Sequence, residues 1–290
     1  MSAALREDGL RAQPLLAQDR EPVLAYLLRH PQENLLLIDQ VESIATPRRG
    51  PQEVPPQVIV VRRGKTIEGV AGLRPSIILD WAITESGFEA CLPILGSASA
   101  GLIKSPRAGV ERLWHQLRLR GRKALLDRGE TGWVRSASVS AALAWAPPPP
   151  AVLRPAVESD LPELVEAARG SLREEGRPDP FRGDPEGFRR WVRGRLPRAR
   201  VVSLKGKPVF VGYADVRRPE GWLIQGVYCW PEHRRAGYAR AGMAGMIREA
   251  FASGAGHVQL AVVQGNEAAR GLYASLGFEP FCELRTILFA

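Results

Sequence analysis

Four consecutive prolines, Pro147–Pro150, stand near the middle of this 290-residue chain. Proline lacks a backbone N–H and fixes φ, so such a run continues neither a helix nor a central strand. It favours an extended, semi-rigid connector, and the chain length is about that of two ordinary domains. We therefore predict two domains, residues 1–146 and 152–290, joined by a proline-rich linker at 147–151.

The half after the linker alternates between strand and helix patterns. A short strand and two helical stretches come first, followed by three strands that end with residues 222–230. A helix over 238–252, a strand over 258–263, a helix over 267–276 and a last strand over 281–289 complete the half. A crossover helix between two strands indicates a parallel pair. The predicted fold class is therefore mixed α/β.

The first half shows a similar order of elements, with helices first, then a strand meander, then another helix. This order predicts a diverged copy of the second half. The predicted helices are Pro22–Leu28, Glu33–Ile44 and Ala108–Leu117. The predicted strands are Val58–Arg63, Thr66–Leu73, Ser76–Leu79 and two short ones at Ala124–Leu126 and Gly132–Ser136.

Composition narrows the class of protein. Hydrophobic residues make up 45% and charged residues 24% of the chain, as in soluble globular proteins. No apolar run approaches the ~20 residues of a membrane span, and the N-terminus has no hydrophobic signal core. We expect a cytoplasmic protein without disulfides or metal sites, because its cysteines and histidines are scattered: Cys91, Cys229, Cys282, His30, His115, His233 and His257.

The net charge of +9 raises the possibility of nucleic-acid binding. The excess is spread over both halves, with +4 in residues 1–150 and +5 in 151–290, and it forms no tail or stripe. A solvated basic surface is the simpler interpretation, and we expect no nucleic-acid partner. A diffuse positive field still attracts acidic ligands.

One segment has the pattern of an anion site. Arg234–Ala239 reads Arg-Arg-Ala-Gly-Tyr-Ala and fits [RQ]-x-x-G-x-[GA] at the start of the 238–252 helix. A loop that enters a helix presents unpaired N–H groups, and the helix dipole adds positive potential. Gly237 lets the backbone approach a ligand, and the arginines can pair with further phosphates. The segment predicts a diphosphate site.

A second block strengthens this prediction. Asn266 is a suitable cap for the helix that follows it, and Tyr273 lies seven residues later on the same side of that helix. Gly277 and Phe278 then end the helix and begin a strand. Taken alone, Tyr273 also fits a core aromatic whose hydroxyl reaches the surface.

With both blocks in order, residues 152–290 resemble the GNAT superfamily of acyl-CoA-dependent N-acyltransferases. The resemblance implies a GNAT fold with a mixed, splayed central sheet. The first half more weakly resembles the N-terminal halves of two-domain bacterial GNAT proteins. Its Lys104–Gly109 segment lacks the loop pattern, and no Asn…Tyr block follows. We expect this half to be a degenerate GNAT-like domain.

The resemblance also implies the roles of site residues. Acetyl-CoA would be the co-substrate, with its pantetheine along Val227–Cys229 and its diphosphate on the amides of Arg235–Arg240. Tyr273 would be the general acid that protonates the CoA thiolate. The implied cofactor-binding residues are Val227, Tyr228, Cys229, Arg234, Arg235, Ala236, Gly237, Tyr238, Ala239, Arg240, Asn266, Ala269 and Tyr273.

The sequence does not decide which residue is the base that activates the acceptor amine. A primary amine must be neutral to attack the thioester, so a base or water chain is expected. Glu232 is our choice, with Asp215 and Glu220 as alternatives. A nucleophilic Cys229 paired with His233 is disfavoured, because direct transfer needs no covalent intermediate.

The predicted function is transfer of an acetyl group to an amine of unknown identity. The alternative is a non-catalytic CoA-binding module. We expect a monomer or homodimer without a membrane partner.

Overall fold

The computed structural model of this protein describes residues 4–5, 9–44, 54–138 and 143–290. The chain forms two compact units. One consists of residues 1–131 with 282–290, and the other of residues 132–281. The domain boundary at 147–151 is inferred from the proline run alone and stays a prediction.

The first of the two chain segments in the first unit begins with strand β1 (Ala4–Leu5). It ends at residue 131, inside strand β7 (Ala124–Ser136). Between these strands lie β2 (Leu10–Pro14), α1 (Arg20–Leu27), α2 (Leu35–Ser43), β3 (Gln57–Arg63), β4 (Thr66–Arg74), β5 (Ile78–Leu79), α3 (Glu85–Leu95), β6 (Gly101–Pro106) and α4 (Arg107–Leu119). Strands β1 to β5 form an antiparallel sheet in sequence order.

The second unit contains most of the remaining elements, and the last strand crosses back into the first unit. These elements are β8 (Val152–Pro155), α5 (Leu161–Glu174), α6 (Pro185–Arg195), β9 (Ala199–Leu204), β10 (Lys207–Arg217), β11 (Trp222–Cys229), α7 (Tyr238–Ala252), β12 (His257–Val263), α8 (Glu267–Ala274) and β13 (Glu279–Phe289). Five elements with predicted bounds are confirmed within two residues at each end: 222–230, 238–252, 258–263, 267–276 and 281–289. The predicted mixed α/β class is confirmed.

The end of β13 belongs to the core of the first unit. Its residues 284–289 pair antiparallel with β6. Ile287 and Phe289 are buried, and the Phe289 ring lies 6.0 Å from the Trp114 ring of α4. The last residues of the chain therefore complete the hydrophobic core of its first unit.

In the second unit, β8, β9, β10 and β11 pair antiparallel, and β11 pairs parallel with β12. Side chains alternate between the two faces of each strand. Along β10, Phe210 and Ala214 pack with α7, whereas Val211 and Tyr213 pack with α5 and α6. Each face of this sheet therefore has its own hydrophobic core.

The packing of α7 on β10 leaves no room for a side chain at Gly242, because an added Cβ would overlap the Phe210 ring. Alanine normally favours a helix over glycine by about 0.5–1 kcal/mol. We expect Gly242→Ala nevertheless to lower the free energy of unfolding by about 1–3 kcal/mol through overpacking. Gly271→Ala is the matched control, because a Cβ there meets open space in α8. Thermal unfolding followed by circular dichroism measures both, and a stabilised Gly242→Ala would contradict this packing.

Candidate functional site

A gap opens between two strands of the second unit. Strands β11 and β12 pair only at Trp222 with Val258 and at Leu223 with Gln259. Beyond this point β11 continues for six residues, Ile224–Cys229, whose register is with β10 alone. Six extended residues span roughly 20 Å. The structure thus leaves one edge of β11 available to an extended ligand.

Beside this gap, α7 begins with unpaired backbone amides. The amides of Arg234 and Ala241 donate to Pro231 O and Gly237 O, at 3.3 and 3.0 Å. Among the residues that the structure describes, the six amides from Arg235 to Arg240 donate to no backbone carbonyl. Unpaired N–H groups and the positive end of the helix dipole together favour an anion.

The backbone conformation at the helix entry depends on Gly237. Its φ is +84°, in the left-handed region, and a Cβ added there would meet no atom within 4 Å. The space above this turn is therefore open. Arg235 also has a positive φ of +62° and is exposed. In the described part of the chain, no side chain therefore covers the backbone at Gly237 itself.

The flanking arginines differ in their surroundings. Arg234 donates through Nε to Cys229 O at 3.0 Å and pairs through Nη2 with Glu174 of α5 at 2.6 Å. Its guanidinium therefore ties the loop to both β11 and α5. The Arg240 guanidinium lies 4.6 Å from the Trp145 ring centroid. Direct contact of either arginine with a phosphate stays a prediction.

Asn266 occupies the predicted N-cap of α8. Its Oδ1 accepts from the Ala269 amide at 3.0 Å, and the residue is exposed. This hydrogen bond satisfies one of the unpaired amides of the first helical turn. The remaining Asn266 side-chain group, the amide nitrogen, is the one with which a ligand could bond.

Tyr273 of α8 is buried, and its ring lies edge-on to that of Phe278 at 5.8 Å. Burial raises the pKa of its hydroxyl above the ordinary range, and the negative charge of Glu175 raises it further. A raised pKa keeps the hydroxyl protonated at neutral pH. Tyr273 is thus both a core aromatic and a group that retains a proton to donate.

The three carboxylates considered as bases lie in different places. Asp215 pairs with Arg195 at 2.6 Å, and Glu220 pairs with Arg218 at 3.0 Å. Both carboxylates are therefore already paired with arginines. Glu232 is exposed in a 3₁₀ turn, Pro231–His233, between β11 and α7. The assignment of Glu232 as the base stays a prediction.

Cys229 has an environment unsuited to a nucleophile. Its Sγ lies 3.6 Å from the backbone carbonyl oxygen of His233, to which it donates. Burial raises the pKa of this thiol to about 11, so the reactive thiolate is scarce at neutral pH. This environment agrees with the prediction that Cys229 is not a nucleophile.

Sequence reasoning missed two glutamates at the end of α5. Glu174 contacts both the Tyr228 hydroxyl, at 3.3 Å, and the Arg234 guanidinium. The next residue, Glu175, is the carboxylate whose charge acts on Tyr273. Helix C-termini normally favour cations, so consecutive glutamates in the last turn are the signal that could have identified them.

Neither a metal cluster nor a membrane-spanning helix is found among the described residues. Within the described ranges, no group of three or more His, Cys, Asp or Glu side chains could hold a metal ion. In the same ranges, no helix combines the length and apolar character needed to cross a membrane.

Comparison with known proteins places this site in a family. Residues 161–278 match the model of the acetyltransferase (GNAT) family, and this segment contains the β11–β12 gap, the α7 entry and Tyr273. Residues 161–278 therefore form a GNAT domain, and the fold of this family supports acyl-CoA-dependent acetyl transfer. No curated protein matches the sequence significantly.

Solved structures share the fold along nearly the whole chain. A Drosophila protein is 17% identical, covers 98% of this chain and 99% of its own, and has a TM-score of 0.72. A GCN5-related N-acetyltransferase from Sphaerobacter thermophilus (15% identity, 99% and 96% covered) and a tandem GNAT protein from the clavulanic acid biosynthesis pathway (16%, 97% and 97%) each have a TM-score of 0.55. These likenesses support the predicted two-domain GNAT fold class.

Proposed function

We propose that this protein transfers an acetyl group from acetyl-CoA to a primary amine by direct attack in a ternary complex. Two observations together carry the proposal: the pairing of β11 with β12 stops at Leu223, and the amides at the start of α7 are unpaired. A thioester with an extended pantetheine arm and a diphosphate matches both features. Family membership supplies the acyl-CoA chemistry.

The proposed reaction needs few groups. The diphosphate rests on the amides of 235–240 and the pantetheine lies along Val227–Cys229, while the amine approaches the thioester carbonyl. The developing oxyanion is held by backbone N–H groups near Cys229. Tyr273, whose raised pKa keeps it protonated, gives its proton to the departing thiolate.

Thiol release tests this function. The full-length protein is incubated with acetyl-CoA and one of four amines (benzylamine, spermidine, glucosamine or a lysine-containing peptide), and free CoA is titrated with a thiol reagent. We expect amine-dependent release with at least one of them. Tight CoA binding without any amine-dependent release would instead support the alternative of a non-catalytic CoA-binding module.

A further inference from the structure

The segment that precedes the proline run lies along α7. The Ala137 amide donates to Gly256 O, between α7 and β12, at 3.2 Å. Further along the segment, Trp145 O accepts from Arg248 Nη1 of α7 at 3.2 Å. The guanidinium of Arg240, in the first turn of α7, lies over the Trp145 ring at 4.6 Å from its centroid. The described residues of the segment therefore follow α7 from its C-terminal end back to its first turn.

The backbone of this segment is held in place near Trp145. Arg248 also donates to Leu143 O, and the Leu143 side chain packs against the hydrophobic core that contains α7. Trp145, by contrast, is 47% exposed. The ring therefore occupies a defined position while much of its surface is open to solvent. A ring that is already ordered loses little further freedom when a ligand stacks on it.

Arg240 connects this ring to the predicted diphosphate position. Its backbone amide is one of the six at the start of α7 that donate to no backbone carbonyl of the described residues. Its Nε is buried and has no hydrogen-bond partner in the described ranges, so the contact with the indole is the one that orients its guanidinium. A single residue thus belongs both to the predicted anion site and to the surroundings of the exposed ring.

The position of the Trp145 ring suits the base of a nucleotide. In acetyl-CoA only a ribose separates the diphosphate from the adenine. A diphosphate on the amides of residues 235–240 therefore brings the adenine close to side chains of the same helical turn. Aromatic side chains bind bases by stacking on their π-faces. Arg240 covers one face of the indole, and the exposed part of the ring is available for a base.

We propose that Trp145 stacks on the adenine of acetyl-CoA. This inference rests on the function proposed above. It extends the cofactor site to a residue that lies outside the family-matched segment 161–278. The pantetheine and the adenine are then bound by different parts of the second unit, the first by β11 and the second by the segment that leads into the proline run.

Trp145→Ala tests the proposal through the dissociation constant for acetyl-CoA, measured by isothermal titration calorimetry. We expect this constant to rise by about 10-fold or more, the usual effect of removing one stacked aromatic ring. Trp145→Phe keeps an aromatic face and should stay within about threefold of the wild type. Should the alanine protein not fold, Trp145→Leu replaces it with the same expectation, because leucine keeps apolar bulk without a π-face.

Trp81→Ala is the matched control. Trp81 belongs to the first unit and is 44% exposed, so this variant loses a ring of similar exposure. Its affinity for acetyl-CoA should equal that of the wild type. A loss of affinity that is the same in Trp81→Ala and Trp145→Ala would contradict a specific contact between Trp145 and the cofactor.

Two truncated cofactors separate stacking on the base from a distorted site. 3′-Dephospho-CoA keeps the adenine, whereas 4′-phosphopantetheine lacks the whole adenosine. Displacement titrations against acetyl-CoA measure both. We expect Trp145→Ala to weaken 3′-dephospho-CoA by the same factor as acetyl-CoA and to leave 4′-phosphopantetheine unchanged. Equal weakening of all three ligands would show that the substitution distorts the site, and would overturn the adenine assignment.

The outcomes also separate the two proposals. A wild type that binds acetyl-CoA, together with a Trp145→Ala protein that binds it equally well, would overturn the role of Trp145 and leave the transferase function intact. A wild type that does not bind acetyl-CoA would remove the proposed function, and the role of Trp145 with it.

Discussion

Gly237→Glu should weaken acetyl-CoA binding by at least about 100-fold, or about 2.8 kcal/mol. The Gly237 backbone has a φ of +84° at the entry to α7, and the space above it is open. A glutamate there would bring a negative charge and a side chain to the position where we place the diphosphate. Isothermal titration calorimetry of acetyl-CoA into both proteins measures the difference.

Gly254→Glu controls for backbone strain. Gly254 follows α7 at its other end with φ of +86°, and a Cβ there also meets open space. A non-glycine residue in the left-handed conformation costs roughly 1–2 kcal/mol, so both variants should lose similar stability. We expect only Gly237→Glu to lose binding. Equal affinities of the two variants would show that the α7 entry does not hold the cofactor.

Tyr273→Phe should lower kcat by about 10²- to 10⁴-fold, the usual contribution of a general acid, and leave acetyl-CoA affinity unchanged. The substitution removes only the hydroxyl and keeps the ring that packs against Phe278. Steady-state thiol release gives kcat, and calorimetry gives the affinity. Unchanged turnover would return Tyr273 to a purely structural role in the core.

The pH profile gives a second measure of the same role. Burial and the charge of Glu175 raise the pKa of the Tyr273 hydroxyl, so it stays protonated beyond its ordinary titration range. The wild-type kcat should therefore show no decline from loss of this proton below about pH 10. A decline that begins near pH 8 and is absent in Tyr273→Phe would contradict the raised pKa.

The second half of the chain was predictable because its elements are locally consistent. The predicted helix over 238–252 coincides with α7, since its apolar spacing, its glycine entry and its glycine exit all agree. The splay between β11 and β12 was implied only by the family resemblance. It depends on where a strand register ends, which is a tertiary property.

The first half was less predictable, and the reasons are physical. Helix α3 was missed because Gly87 and Pro93 disfavour a helix, yet Thr84 caps it through the Gly87 amide at 3.0 Å. The two short strands predicted at Ala124–Leu126 and Gly132–Ser136 are wrong, because the structure has one continuous strand, β7.

Two carboxylates inside β7, Asp127 and Glu130, each pair with a cation from another strand. Asp127 pairs with Arg285 at 2.7 Å. Burial alone would raise the pKa of Glu130, but Lys104 and Arg128 lower it to about 2. The pairs Asp127–Arg285 and Glu130–Lys104 join residues far apart in the sequence, so local patterns could not reveal them.

The residues of the candidate site also fall into a group that could be predicted from the sequence and a group that could not. The α7 entry and Asn266 could be predicted because their function depends on local backbone geometry. Glu174 at the end of α5 could not, because its significance comes from contacts with Tyr228 of β11 and with Arg234. Those contacts connect elements that are more than 50 residues apart.

A crystal structure with bound acetyl-CoA tests most directly whether the α7 entry and the β11–β12 gap form the cofactor site. We expect diphosphate oxygens within hydrogen-bonding distance of amides between Arg235 and Arg240, and the pantetheine alongside Val227–Cys229. A cofactor bound elsewhere, or β12 paired with β11 through Cys229 in the crystal, would contradict this assignment.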